Sequence, residues 1–449
     1  MMNIGVNVGA LGGHLAGWRH RDSWHPTLMR LDNVILAATL AERGKLDMIF
    51  LADGNGVRQM DKPDLFAANS PSNRPAVFEP VTLFAAVSQH TSHVGFVATA
   101  TTTYEEPFTL ARKFASLDHI SGGRCGWNLV TTSYPEDARN FSKEEHLPRE
   151  QRYERAREFA DVVRGLWDSW AEDAFPQDQA SGRYLEPSLV HAQNHKGKYF
   201  SVRGPLNCPR TPQGRPVIFS AGQSTHGIET SAYCADAVFA SVPTKADGMA
   251  YFADVKGRMA KYGRSPDELK IMPGLSICVA ATATEADELF DELQDLIPIE
   301  LGVAYLSKLL DTNLSAYPLD GPLPEIEGAD VGTTAAGRQM ADQAKRDGAT
   351  IRQMSRKILA STTGTMFKGS PRQVADEMED WYRSQACDGF MISNPVMPRG
   401  LQAVVDLLIP ELQRRGLFRT EYPGRTLRET MGLKTPVNPY FAVPTLAAE

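Results

Sequence analysis

The stretch Lys45 to Gly54, KLDMIFLADG, decides the fold. Met48, Ile49, Phe50, Leu51 and Ala52 form a continuous apolar run closed by an Asp-Gly turn signal, the pattern of a parallel strand covered on both faces. Such a strand delivers the carboxylate of Asp53 to its C-terminal end. In folds of parallel strands that end is the rim where ligands bind, so the question becomes whether other strands bring polar groups to the same edge.

Working outward, Ile4 to Val8 alternates as a first strand and runs into a Gly-rich loop, Gly9 to Gly17, that ends in Trp18, Arg19 and His20. Helical spacing over Asp32 to Arg43, stopped by Gly44, completes one βαβ unit. A loop rich in Asn, Pro and Asp then reaches Pro75, and Pro80 to His90 reads as helix. His93 to Ala100 and Cys125 to Thr132 read as strands three and four, with a helix over Thr109 to Ile120 between them and another from Pro148 to Trp170 after them. Strands five to eight are read at 216 to 222, 235 to 240, 271 to 280 and 387 to 393, with a helix over Tyr251 to Tyr262 and one capped by Ser370 and Pro371 that runs to Gln385. Eight strand-like runs separated by helix-like runs predict a (β/α)8 TIM barrel. The whole chain, 1–449, is then one domain, with its largest insertion between strands seven and eight, at about 281–370, placed to act as a lid, and a C-terminal extension from about 417.

The composition fits an ordinary globular chain. A formal charge of -7 and the lack of a dense Lys/Arg cluster argue against nucleic acid as a partner. No apolar run approaches membrane-spanning length. The five cysteines are far apart and without a CxxC pair, which points away from a disulfide framework or zinc site and toward a cytoplasmic location. The ten histidines show neither H-x-H nor H-E-x-x-H spacing, so no metal is expected.

Asp53, Thr103, Asn128 and Ser224 fall at or near the ends of strands two to five. Each alone has an ordinary reading: Asp before Gly forms turns, Thr is common in strands, a Ser caps helices, and a buried Asn can be a strut. Together on one rim they read as a binding site. The segment AGQSTHG (221–227) opens a helix after a strand, so its N–H groups and the Ser224 and Thr225 hydroxyls are suited to a phosphate, although it is neither a P-loop nor GxGxxG. Arg149 and Tyr153, four residues apart on the long helix, would add a cation and a phenol.

The chain also resembles the bacterial luciferase superfamily of flavin monooxygenases, in particular the group of nitrilotriacetate monooxygenase component A, dibenzothiophene sulfone monooxygenase and long-chain alkane monooxygenase. The stretches that carry the resemblance include WRH (18–20), ERGKLDMIFLADG (42–54), LARKFASLDHISGGRCGWNLVTT (110–132), ARNF (138–141), RYERAREF (152–159), TPQGRPVIFSAGQS (211–224) and FRTEYPGRTLRETMGL (418–433). The resemblance implies a barrel that takes FMNH2 from a separate NAD(P)H:flavin reductase and uses O2 to oxygenate a small organic substrate, with C–S or C–N cleavage expected over alkane hydroxylation. It implies that Asp53 and Asn128 hold the flavin ring or ribityl chain, with Thr103 a further contact, and that Tyr153 and Ser224 hold the phosphate. Many members carry His where this chain has Arg149, a change that keeps a phosphate contact and loses a base. His14, His20 and Thr132 are candidates for touching the substrate or the oxygenating flavin. A homodimer or homotetramer is implied in the same way. The other readings are a deazaflavin-dependent oxidoreductase of the same superfamily and a flavin-binding protein without turnover.

Overall fold

The computed structural model describes residues 1–9, 12–24, 29–57, 60, 77–310, 312–324, 344–358 and 365–441. Most of the loop expected between Asp53 and Pro75, and the parts of the 281–370 segment at 325–343 and 359–364, lie outside the described residues.

Eight strands form the expected barrel: β1 (Asn3–Asn7), β2 (Met48–Leu51), β3 (Gly95–Thr101), β4 (Cys125–Val130), β5 (Val217–Ala221), β6 (Ala237–Ala240), β7 (Lys270–Val279) and β8 (Gly389–Ser393). Each pairs in parallel with the next, and β8 pairs with β1 at Asn3↔Gly389, which closes the ring. The fold is a (β/α)8 TIM barrel. One further strand that the sequence does not signal, Met366–Gly369, adds to the C-terminal half of β7 over Ser276 to Val279.

Strand parity sorts the side chains. Ile4, Val6, Ile49, Leu51, Phe96, Trp127, Ile218 and Ile392 pack outward with the helices in the main core, whereas Met48, Phe50, Val97, Phe219, Met272 and Met391 fill the barrel interior. Leu427, Met431 and Leu433 join that interior cluster from the C-terminal segment. Gly95 shows how closely they fit, because a Cβ there would sit 2.5 Å from Leu427 Cδ1. The small residue on β3 is therefore the seat for Leu427 in the N-terminal end of the barrel.

Aspartates set where three of the strands begin. Asp47, Asp236 and Asp388 immediately precede β2, β6 and β8, and each carboxylate accepts the backbone N–H of the neighbouring strand: Ile4 at 2.6 Å, Ile218 at 2.8 Å and Ile271 at 2.8 Å. Strands β6 and β8 start two residues later than the apolar runs suggest, directly after Asp236 and Asp388, whose own backbone groups still bond to the strands on either side. Cations complete the clamps. Arg419 donates to Asp47 at 2.8 Å and Arg428 to Asp236 at 3.0 Å, both from the C-terminal segment, and Lys256 lies 3.1 Å from Asp388.

The helices that follow strands β1 to β7 are α1 (Leu31–Arg43), α2 (Pro80–Val87), α3 (Pro107–Ser121), α4 (Arg149–Trp167), α5 (Thr225–Cys234), α6 (Lys245–Met259) and α7 (Ala283–Asp295), and two of them differ markedly from the periodicity reading. The one expected over Tyr251 to Tyr262 runs over Lys245–Met259, because Thr244 caps it by accepting the Asp247 N–H, and Ala260–Tyr262 is a 3-10 turn. The long helix stops at Trp167 because Asp168 turns inward to pair with Arg210 and Arg215. Ser370, by contrast, caps Pro371–Arg383 in a capping box with Gln373, as expected of the Ser-Pro start.

Asp47 is fully buried, so removing its cation strands a charge. Arg419→Ala is expected to cost about 3–5 kcal/mol of stability in a denaturant titration. A loss below about 1 kcal/mol would show that the C-terminal segment does not hold the barrel closed.

Candidate active site

The rim at the C-terminal ends of β2, β3 and β4 carries two layers of side-chain hydrogen bonds. Thr99 and Asn128 are direct neighbours in the β3–β4 register, and both point into the barrel. The Thr99 hydroxyl donates to the Leu51 carbonyl at 2.9 Å and accepts from Asn128 Nδ2 at 3.0 Å. One layer higher, the Thr101 and Thr132 hydroxyls meet at 2.8 Å, Thr101 Oγ1 accepts the Thr103 N–H, and Thr132 Oγ1 reaches Asn55 Oδ1 at 3.3 Å. Asp53 stands half-buried on the same loop, two residues before Asn55. Asn128 and Thr103 are almost fully buried, yet Asn128 Oδ1 and Thr103 Oγ1 have no hydrogen-bond partner among the described residues. Buried polar atoms are nearly always paired, so two such orphans at this end of the barrel fit a ligand that supplies the missing partners.

The second half of the rim is built by helices. Helix α4 (Arg149–Trp167) begins with exposed Arg149 and carries Tyr153 one turn on, and helix α5 (Thr225–Cys234) has Ser224 as its N-cap, with Oγ accepting the Gly227 N–H at 3.2 Å. Gly222 and Gly227 approach so closely that a Cβ on Gly222 would lie 2.8 Å from Gly227 Cα. The Tyr153 hydroxyl is 3.3 Å from the place a Cβ on Gly227 would occupy, and its ring lies near-parallel to that of His226 at 6.0 Å between centroids. A glycine-lined turn, a helix N-terminus with exposed Thr225, a phenol and a nearby guanidinium are the donor set that a phosphate monoester requires.

Thr132 has both its hydroxyl and its carbonyl engaged. Its carbonyl accepts from His146 Nε2 at 2.9 Å and from the Arg152 guanidinium. His146 Nδ1 in turn faces the Tyr104 hydroxyl at 2.6 Å, and Tyr104 stacks on Phe141 at 4.5 Å. Burial and the Arg152 charge hold the His146 imidazole below its ordinary value, the neutral form that a donor to one carbonyl and acceptor from one phenol requires.

His14 and His20 sit elsewhere, on the loop after β1, against helix α7 (Ala283–Asp295). His14 Nδ1 accepts the Ala16 N–H at 3.1 Å and His20 Nδ1 accepts the Asp22 N–H at 3.0 Å, so in each ring the proton is on Nε2. His14 Nε2 lies 3.2 Å from the Gln294 side-chain amide, whose oxygen accepts the ring proton once the amide is turned toward the imidazole, and His20 Nε2 lies 3.5 Å from Glu292 without a hydrogen-bond partner among the described residues. The Arg19 guanidinium reaches the Leu296 carbonyl at the end of α7, where a cation is favoured. Three side chains of one loop thus dock the helix that opens the 281–370 segment.

The structure thus links Thr103 and Thr132 through Thr101, ties Asn128 to Thr99, sets the Tyr153 hydroxyl beside Gly227 in the turn that Ser224 caps and Thr225 follows, and packs the two histidines against α7. Sequence reasoning did not single out Asn55, Tyr104 or His146. Thr99 was visible only as one of several crowded threonines. Counting inward parity along β3 against β4 would have paired it with Asn128.

The chain belongs to the luciferase-like monooxygenase family, whose sequence pattern matches residues 11–388. It is a flavin-dependent oxygenating enzyme. It is 44% identical to N-acetyl-S-(2-succino)cysteine monooxygenase of Bacillus subtilis (strain 168), with 98% of each chain covered. It is 43% identical to nitrilotriacetate monooxygenase component A of Aminobacter aminovorans, with 97% of each covered. Among solved structures it superposes with a TM-score of 0.83 and 28% identity on riboflavin lyase crystallised with a modified FMN, over 97% of this chain and 96% of that one.

Burial pushes His14 down to about 4. Its neutral form is favoured in the fold, so the stabilisation is complete above the ordinary imidazole value near 6.5 and is lost as pH falls from there through about 4. The loss is up to about 3 kcal/mol. Urea midpoints measured across that window should fall steeply for the wild type and less steeply for His14→Gln. Parallel slopes would assign the loss to another group.

Proposed function

We propose that this enzyme is the large component of a two-component monooxygenase. It takes FMNH2 from a separate NAD(P)H:flavin reductase and uses O2 to oxygenate a small heteroatom-bearing organic compound, with cleavage of a C–S or C–N bond. The observation that carries the reading is the convergence of the Ser224–Gly227 turn, the Tyr153 hydroxyl and the orphaned Asn128 acceptor on one rim, a phosphate cradle and a ring-edge partner in a single site.

When bound, the reduced flavin supplies the electrons and the activated oxygen. The chain's own residues bind and shield it. Ser224, Thr225, Tyr153 and Arg149 hold the phosphate. Asn128, Thr103 and Asp53 meet the polar edge of the ring or the ribityl chain, and the Thr101–Thr132–Asn55 contacts fix the strand ends that carry them. Helix α7, docked through His14, Arg19 and His20, begins the cover that keeps water from the reacting centre. With Nδ1 of each ring already taken by a backbone N–H, the two histidines serve this docking.

Two of its relatives are named for N-acetyl-S-(2-succino)cysteine and nitrilotriacetate, polycarboxylates built on a thioether sulfur and on a tertiary amine nitrogen. They support an anionic thioether or tertiary amine as the substrate here. A subunit pairing is supported by the designation of one relative as component A.

Anaerobic titration should show FMNH2 binding tighter than FMN, and product should appear once reductase, NADH, O2 and a carboxylated thioether or amine are supplied. Ser224→Ala is expected to weaken FMNH2 binding about tenfold while leaving reduced riboflavin, which lacks the phosphate, unchanged. An equal loss for both flavins would move the phosphate away from α5.

A further inference from the structure

The direction of the Thr99 hydroxyl is fixed by its partners. Leu51 offers it a carbonyl oxygen, which can only accept, so the hydroxyl hydrogen is committed to that bond at 2.9 Å. What remains at Thr99 Oγ1 is a lone pair, and the group 3.0 Å away must therefore be the donor end of the Asn128 amide. Turning the amide over would set Asn128 Oδ1 against an oxygen with no hydrogen left to give. The chain Leu51 C=O, Thr99 O–H, Asn128 NH2 crosses β2, β3 and β4 at neighbouring positions, Leu51 beside Ala98 and Thr99 beside Asn128. Its free end is Asn128 Oδ1, an acceptor buried without a partner among the described residues.

We propose that Thr99 is a positioning residue that locks the polarity of the Asn128 amide, so that the site presents an acceptor to the flavin ring and thereby favours the reduced over the oxidised form. This rests on the flavin site proposed above. The chemistry of the ring supplies the discrimination: reduction places N–H groups at ring nitrogens that carry bare lone pairs in the oxidised form. A fixed acceptor gains a hydrogen bond from the first and meets lone-pair repulsion from the second. A free amide would rotate to suit either form and discriminate neither. The protein thus selects the redox state of its cofactor through a hydroxyl that does not itself touch it.

The test is the ratio of dissociation constants for FMN and FMNH2, measured anaerobically on the full-length protein. Thr99→Val keeps the shape and the strand propensity but frees the amide, and is expected to lower the ratio about tenfold, with Thr99→Ser restoring it. Asn128→Leu, which removes the acceptor, should lower the ratio to a similar extent and serves if Thr99→Val fails to fold. A merely structural role for Thr99 would weaken both forms together and leave the ratio alone. An unchanged ratio in variants that still bind both flavins would overturn the proposal, since Oδ1 would then meet a donor common to both forms. Failure of the wild type to bind either flavin would instead overturn the reading of the site itself.

Discussion

A closed barrel of parallel strands has an assembly problem at its N-terminal end, where each strand begins with backbone N–H groups that the ladder does not fully use. Here carboxylates solve it at three junctions. Asp47, Asp236 and Asp388 each take the N–H of the preceding strand in the ring, and each is neutralised by a cation, two of which, Arg419 and Arg428, come from the C-terminal segment. The same segment inserts Leu427, Met431 and Leu433 among the interior side chains. Charge and apolar filling therefore act on one stretch of chain. The C-terminal end of the barrel is left to the ligand because the N-terminal end is already filled.

Fixing where the strands start also fixes which residues face inward, since a slip of one residue would exchange the two faces. With β2 starting after Asp47 and β4 at Cys125, the polar inward positions at the upper end are Thr99, Thr101 and Asn128, in a barrel otherwise lined by Phe50, Phe219, Phe239 and Met391. An amide among aromatic and thioether side chains is costly unless it is paired. It is half paired, through Nδ2, and the half left over is an acceptor without a partner among the described residues.

Much of this was legible in the sequence for definite reasons. The eight strands were readable because buried parallel strands are written as continuous apolar runs, and MIFLADG, GWNLVTT and VIFSAG are such runs. The parts of the proposed phosphate site were readable because they are local: a helix-capping Ser after a strand and an Arg and a Tyr one turn apart. The clamps were not, because Asp47 looks like any polar residue before a strand until Arg419, distant in sequence, lies beside it. Nor were the Thr99 lock and the Tyr104–His146 contact, which depend on cross-strand register and on where one loop folds back. The roles of His14 and His20 turn on which ring nitrogen is engaged, and residue type and position carry no information about that. The strand Met366–Gly369 was hidden for another reason: four residues interrupted by Lys368 make no apolar run.

The account stands on the claim that the phosphate end and the ring end of one flavin are held by the α5 turn and by Asn128 respectively. A crystal structure with FMN bound tests it most directly. The account predicts the phosphate at the Ser224–Gly227 turn within reach of the Tyr153 hydroxyl, and a flavin donor within hydrogen-bonding distance of Asn128 Oδ1 with Nδ2 still on Thr99. A phosphate seated at another strand end, or an Asn128 oxygen still without a partner in the complex, would contradict it.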